Sequence, residues 1–157
     1  MNVLEKGFFI LTDNLMSKYP RIQDLEPVAS KKIPPFIHAY LEAGTGSGNT
    51  MARNRRALDE ITFTPELMHG RFEPDLRTTL FGQEYAMPFG VAPIGLSSLI
   101  WPLSEQNLAA MAARLNIPYT LSTVAGASIE DIGKQSNGKG WFQLYPPHNR
   151  EIMNSLL

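Results

Sequence analysis

The chain contains no cysteine. That excludes a disulfide scaffold, a thiolate nucleophile and a cysteine-ligated metal site. It suits a reducing cytoplasm. An excess of one charge is also lacking, because 14 basic and 15 acidic residues leave a net charge of −1. No field is available to draw in nucleic acid or an anionic membrane surface, so no nucleic-acid partner is expected. No apolar run approaches the ~18–20 residues of a membrane span. The first sixteen residues carry Glu5, Lys6 and Asp13 and lack the layout of a signal peptide. Internal repeats and low-complexity tracts are missing too. What is present is ordinary for a globular protein: 157 residues, 43% hydrophobic and 18% charged, enough for one domain with a core.

In the first third, Leu4, Phe8, Leu11 and Leu15 could form one helical stripe, and Pro20 and Pro27 break the stretch after it. A clearer helix is predicted from Pro34 to about Ala43, with prolines at its start and Gly44 at its end. Its Phe36, Ile37, Tyr40 and Leu41 share a face. Gly44-Thr-Gly-Ser-Gly48 is a flexible turn. It resembles a phosphate-cradling loop only superficially, since no strand precedes it and no Gly-Lys-Ser/Thr comes after it. A second helix, capped by Asn49 or Thr50, runs through Leu58 and carries Arg53, Arg55 and Arg56 on a solvated face. Ile61–Thr64 alternates like a strand. Leu76–Leu80 and Glu84–Met87 read as a small β-hairpin around Phe81-Gly-Gln83.

Beyond the hairpin the pattern repeats. Phe89–Ala92 reads as a buried strand, and Ser104–Leu115 as a helix with Leu108, Met111, Ala112 and Leu115 on its apolar side. Tyr119–Leu121 is the next strand. Ser128 to about Lys134 is a helix opened by a Ser-x-x-Asp capping box with Asp131. After a polar turn at 135–140, Trp141–Leu144 is a third strand, and Asn149 or Arg150 opens a last helix. This is a βαβαβ order, for which right-handed parallel connections are expected. Its polar groups fall at the carboxyl ends of the strands, where α/β folds hold ligands. Gln143 is notable there, because an amide between Phe142 and Leu144 in a buried strand needs partners.

Five blocks, in order and with matching spacing, resemble one family. They are Pro34-Pro-Phe-Ile-His-Ala-Tyr-Leu-Glu-Ala-Gly44, Met87-Pro-Phe-Gly-Val-Ala-Pro-Ile-Gly-Leu96, Trp101-Pro-Leu-Ser-Glu105, Leu121-Ser-Thr123 and Trp141-Phe-Gln-Leu-Tyr145. Together they resemble the N-terminal half of the FMN-dependent α-hydroxy-acid dehydrogenase/oxidase family, which includes glycolate oxidase, L-lactate dehydrogenase and mandelate dehydrogenase. The resemblance implies an α/β fold: about the first three βα units of a TIM (β/α)8 barrel, preceded by an N-terminal helical cap and the β-hairpin. Residues 1–74 would be cap and linker, and 75–157 hairpin and barrel. It implies oxidation of a small L-2-hydroxy acid to a 2-oxo acid, with electrons passing through FMN to a quinone, a cytochrome or oxygen. It implies a homo-oligomer when complete, in the cytoplasm or peripheral to the inner membrane.

The matched positions carry implied roles. Pro93, Ile94 and Gly95 correspond to the strand end whose backbone packs on the flavin, where a larger side chain would collide with the ring. Ser122 corresponds to a hydroxyl on the pyrimidine edge of the flavin. Gln143 corresponds to the amide reading that edge, which must donate and accept at once. Tyr145 resembles the tyrosine near the substrate hydroxyl, and Tyr40 the cap tyrosine that binds the substrate carboxylate. Ile94 stands where many relatives have Thr, and Gly95 where oxidase-type members often have Ala, a tilt toward a dehydrogenase. Residues 102–105 read Pro-Leu-Ser-Glu where relatives often have Pro-x-Gly-Glu.

The family's catalytic His and its substrate-binding Arg lie later in the barrel. His38, His69 and His148 match neither, and His148 reads as a loop residue. Arg53, Arg55, Arg56, Arg77, Arg114 and Arg150 match no substrate-binding position. A closed barrel takes about 250 residues. The expectation is therefore a fragment, inactive alone, with exposed sheet edges and apolar surface. A second expectation is a non-catalytic flavin-binding half-barrel that assembles with a separate C-terminal chain or with itself. A third is an unrelated βα enzyme using Glu105 or Asp131 as acid/base, although both fit helix-surface or cap roles better.

Overall fold

The computed structural model describes residues 15, 17–65, 67, 68, 70, 71 and 73–156. His69 and the stripe residues Leu4, Phe8 and Leu11 lie outside them. The chain divides into two compact units, Met1–Asp59 and Glu60–Leu157.

In the first unit a 3-10 turn, Ile22–Leu25, runs into one turn of α-helix, Glu26–Ala29. Helix α1 is Pro35–Glu42, with Pro34 as N-cap and Ala43 as C-cap. The fixed proline φ angle suits the first helical position, where no intrahelical N–H bond is lost. Of the predicted face only Ile37 is buried; Phe36, Tyr40 and Leu41 are exposed. Helix α2 is Asn49–Asp59 and buries no residue. Its Arg55 pairs with Asp59 one turn on, 3.2 Å away. Both partners are exposed, so the pair adds little to stability.

The second unit begins with extended chain. Ile61–Thr64 forms no strand, and the Phe63 side chain is 95% exposed. Alternation alone does not make a strand when no neighbouring strand takes its N–H and C=O groups. The hairpin forms, with shorter strands and a tighter turn than expected: β1 Thr78–Leu80 pairs antiparallel with β2 Gln83–Tyr85, so Gln83, expected in the turn, is the first residue of β2. Its two-residue turn has Phe81 and Gly82 at φ 51° and 78°. Positive φ at both positions matches the right-handed twist of the flanking strands. The Phe81 ring meets Trp141 edge-on, 5.5 Å between centroids. Tyr85 is buried, and its hydroxyl accepts a 3.2 Å hydrogen bond from Trp141 Nε1.

Helix α3 is Ser97–Ile100, α4 is Ser104–Leu115, β3 is Thr120–Leu121, α5 is Ile129–Gln135, β4 is Trp141–Phe142 and α6 is Arg150–Leu156. β3 and β4 pair in parallel, and a parallel bridge joins Val91 to Tyr119. The described sheet structure is thus two small two-stranded sheets and this bridge. The predicted strand at Phe89–Ala92 shrinks to Val91 alone. Pro88 and Pro93 lack an N–H to donate, and Gly90 adds no side chain to pack, so only Val91 joins the ladder.

Core packing centres on α4. The buried cluster is Ala109, Ala112, Tyr119, Leu121 and Ile132. The buried stripe of α4 is Glu105, Ala109 and Ala112, whereas Leu108 and Leu115 are exposed. Of the predicted apolar side Ala112 is buried and Met111 half-buried, while the two leucines face outward and the buried stripe extends instead to Ala109 and Glu105. Alanine at the contact lets helix and sheet approach closely at no side-chain entropy cost. Helix α5 has its predicted cap, with Ser128 Oγ accepting from the Asp131 N–H at 3.1 Å. Asn149 caps α6 in the same manner, accepting from Glu151 N at 2.8 Å.

Tyr119 is 5% exposed, and desolvation, with the Glu105 charge adding to it, pushes its phenol from 10.0 up to about 12. Below pH 10 the hydroxyl is neutral in both folded and unfolded chains, so its contribution to stability is fully present. Between the two values only the unfolded chain ionises, and stability falls as pH rises. The urea midpoint of the wild-type chain is expected to drop between about pH 9 and about pH 11, and by less in Tyr119→Phe. Equal drops in both proteins would show that Tyr119 contributes nothing to the alkaline loss.

Candidate functional site

Backbone ladders align three chain segments in sequence order. Val91 N donates to Pro118 O at 2.8 Å, and Thr120 N to Val91 O at 3.0 Å. Trp141 N donates to Tyr119 O and Gln143 N to Leu121 O, each at 2.8 Å. The carboxyl ends of these segments carry Pro93–Gly95, Ser122 and Gln143, which therefore emerge on the same end of the parallel array.

After Gly95 the chain turns sharply. Leu96 takes φ 54°, and its N–H donates to Val124 O at 3.1 Å. That bond ties the Pro93–Gly95 loop to the loop after β3. Ile94 is 42% exposed, and Pro93 and Gly95 are half-buried. The surface they offer is apolar and low in profile. Ser122 is buried, and its Oγ accepts from Val124 N at 3.3 Å. Its hydroxyl proton makes no hydrogen bond to the described residues. The Gln143 amide, half-buried, likewise makes no side-chain hydrogen bond to them. Donors and acceptors that are sheltered and uncommitted are what a polar ligand edge requires.

Two residues organise these ends in a way that sequence reasoning did not assign to them. Thr123 Oγ1 donates to Gln143 O and accepts from Tyr145 N at 3.0 Å. The regular strand β4 ends at Phe142, so this hydroxyl, rather than strand alternation, holds the backbone leading to Tyr145. The Tyr145 side chain is exposed. A polar residue following a buried Leu-Ser strand end was the available signal. The second residue is Glu105. It was expected in a helix-surface or cap role; it is 1% exposed, with Oε1 accepting from Ser98 N at 3.2 Å, in the first turn of α3, and from Gly126 N at 3.1 Å. An acid/base working on a solvent-borne substrate needs access that this side chain lacks. Asp131 is exposed on the first turn of α5.

Tyr40 lies in the first unit, exposed on α1. His38 is half-buried on the same helix, and His148 is exposed after β4. Among the described residues no group of His, Asp and Glu is arranged to hold a metal ion. None of their helices is long and apolar enough to cross a membrane. A recess of about 300 Å³ opens beside Phe89, Gly90, Pro118 and Trp141. It includes none of the seven proposed site residues and offers mainly apolar walls, so it has little with which to orient a ligand.

Comparison with known proteins gives a consistent result. Residues 29–157 match the family described as FMN-dependent dehydrogenase. The chain is 37% identical over 134 residues to an FMN-dependent alpha-hydroxy acid dehydrogenase of Penicillium citrinum, covering 85% of this chain and 33% of that protein. It is 36% identical over 134 residues to the L-lactate dehydrogenase of Ectopseudomonas mendocina (strain ymp), covering 85% and 35%. A crystal structure of mandelate oxidase with 3,3-difluoro-2-hydroxy-3-phenylpropionic acid superposes with a TM-score of 0.80 at 30% identity, covering 88% of this chain and 41% of that one. The α/β fold is thus shared with solved structures. The chain spans about a third of the length of the curated relatives it matches.

Proposed function

This chain belongs to the FMN-dependent dehydrogenase family, and from that premise we propose that it forms the flavin-ring bed of an enzyme oxidising L-2-hydroxy acids, lactate-like in size, to 2-oxo acids. In this reading residues 1–74 are cap and linker, and 75–157 are the hairpin and first βα units of a (β/α)8 barrel. The observation that carries it is the pairing of buried Ser122 with the uncommitted Gln143 amide, beside the low apolar loop Pro93–Gly95. These residues fit a planar ring with one polar edge. When bound, FMN supplies the two-electron acceptor.

The chain's own residues would do the rest by position. Pro93, Ile94 and Gly95 would lie against the ring and exclude water from one face. The Gln143 amide would donate to and accept from the pyrimidine edge, and the Ser122 hydroxyl would give it a further partner. Tyr145 would meet the substrate at its hydroxyl; the part assigned to Tyr40, binding of the carboxylate, rests on the family resemblance of its own helix. Oxidation removes two electrons and two protons from the hydroxy acid. Neither His38 nor His148 is assigned as the proton acceptor. Residues 1–157 by themselves are therefore expected to bind flavin without turning over L-lactate. In the whole protein the electrons would pass on to a quinone, a cytochrome or oxygen, and Gly95 favours a dehydrogenase.

Titrating the chain into FMN and following flavin fluorescence tests this reading. Saturable quenching is expected. Gln143→Leu should weaken it by about tenfold, the value of roughly one net hydrogen bond, with the far-ultraviolet spectrum unchanged. A flat titration up to about millimolar protein would remove the reading.

A further inference from the structure

Glu105 is the most thoroughly buried charged residue among those described, at 1% exposure, and the proposed reaction does not use it. It stands on the first turn of α4, yet its contacts are with two other loops. Oε1 accepts from Ser98 N at 3.2 Å, on the loop that begins at Pro93–Gly95 and ends in α3. The same oxygen accepts from Gly126 N at 3.1 Å, on the loop that begins at Ser122. Neither amide has another acceptor among the described residues. Ser98 N is one of the first-turn N–H groups that a helix leaves unsatisfied.

The two loops also touch directly. Leu96 N donates to Val124 O at 3.1 Å. A Cβ at Gly126 would sit 2.3 Å from Ser98 Oγ and 3.2 Å from Ser98 Cβ, so the two loops pack closely here and a larger residue would have to turn the serine hydroxyl aside. The other carboxylate oxygen, Oε2, is buried with no hydrogen-bond partner among the described residues. Burying a carboxylate with one oxygen unmatched is unfavourable, and an apolar residue would fill the space at less cost. Core stability is therefore a poor account of a glutamate here. Geometry is a better one: one oxygen atom holds two loops at a fixed distance.

We propose that Glu105 is a positioning residue, a clasp that sets the spacing between the Pro93–Gly95 bed and Ser122 so that ring face and ring edge are met together. The proposal rests on the flavin reading for its purpose. The clasp itself is independent of any ligand, and the test separates the two.

Amide hydrogen exchange of residues 1–157, read by NMR without flavin, should show protected Ser98 and Gly126 amides in the wild type. Glu105→Gln keeps the accepting oxygen and should retain that protection and FMN affinity within about threefold. Glu105→Met keeps the volume and removes the acceptor. Both amides should then exchange at least about tenfold faster, and FMN affinity should fall by about tenfold. Unprotected amides in the wild type overturn the clasp without any variant, so a Glu105→Met chain that fails to fold leaves the proposal open to refutation. Loss of protection in Glu105→Gln overturns it too. Loosened amides in Glu105→Met with unchanged FMN affinity overturn the positioning role. Protected wild-type amides in a chain that binds no FMN uphold the clasp and remove the flavin reading.

Discussion

Gly90→Ala is expected to destabilise the second unit by about 3 kcal/mol, the upper part of the range for overpacking a rigid site. An added Cβ would lie 2.6 Å from Pro118 O and 2.9 Å from Pro118 Cβ. Neither atom is the mobile end of a side chain. Pro118 O is already committed, accepting from Val91 N at 2.8 Å. To relieve the clash the Val91 segment must move away from Tyr119, which breaks the parallel bridge holding it. The Pro93–Gly95 loop would move with it, so flavin binding should weaken together with stability. Urea unfolding followed by tryptophan fluorescence measures the first effect. A change below about 0.5 kcal/mol would show that the strand relaxes freely, and that the bed does not depend on this approach.

Tyr85→Ala is expected to cost about 3–5 kcal/mol, as for other large aromatic residues removed from a core. Tyr85 is 1% exposed, packs edge-on to Trp141 with 6.4 Å between centroids, and accepts the indole hydrogen bond. It therefore fastens the hairpin to β4. Tyr85→Phe separates the two contributions, because only the hydroxyl is lost. It should cost about 1 kcal/mol and shift the Trp141 emission as the indole N–H loses its partner. If Phe and Ala cost the same, the hydrogen bond rather than the packing joins the hairpin to the sheet.

Legibility tracked the range of the interaction that settles each feature. The cap of α5 depends on Ser128 and Asp131, three residues apart, and appeared where expected. The hairpin turn depends on Phe81 and Gly82 and did likewise. Ile61–Thr64 carried a strand pattern, but whether a partner strand lies alongside is not a local property. Helix α4 was located correctly, while its buried face was right at Ala112 and wrong at Leu108 and Leu115. Leucine looks more suited to a core than alanine, and only the closeness of β3 decides that alanine fits.

The proposed site divides in the same way. Ser122 and Gln143 were identifiable as polar residues at the ends of apolar runs, and their roles came from resemblance to a family. The parts that Thr123 and Glu105 play were not, because they depend on Gln143 O and Gly126 N, 20 and 21 residues away along the chain.

The sequence by itself determined the alternation of strands and longer helices from the hairpin onward, the Ser128 cap, the hairpin turn at Phe81-Gly82, and the family to which the chain belongs. These are set by contacts between near neighbours and by motifs read in order. Only the tertiary structure decided which face of α4 is buried, that Val91 alone of its predicted strand joins the sheet, and that Glu105 is enclosed between two loops. Each of those outcomes depends on how much space and how many unpaired amides a distant segment leaves. That quantity does not exist until the segments have packed.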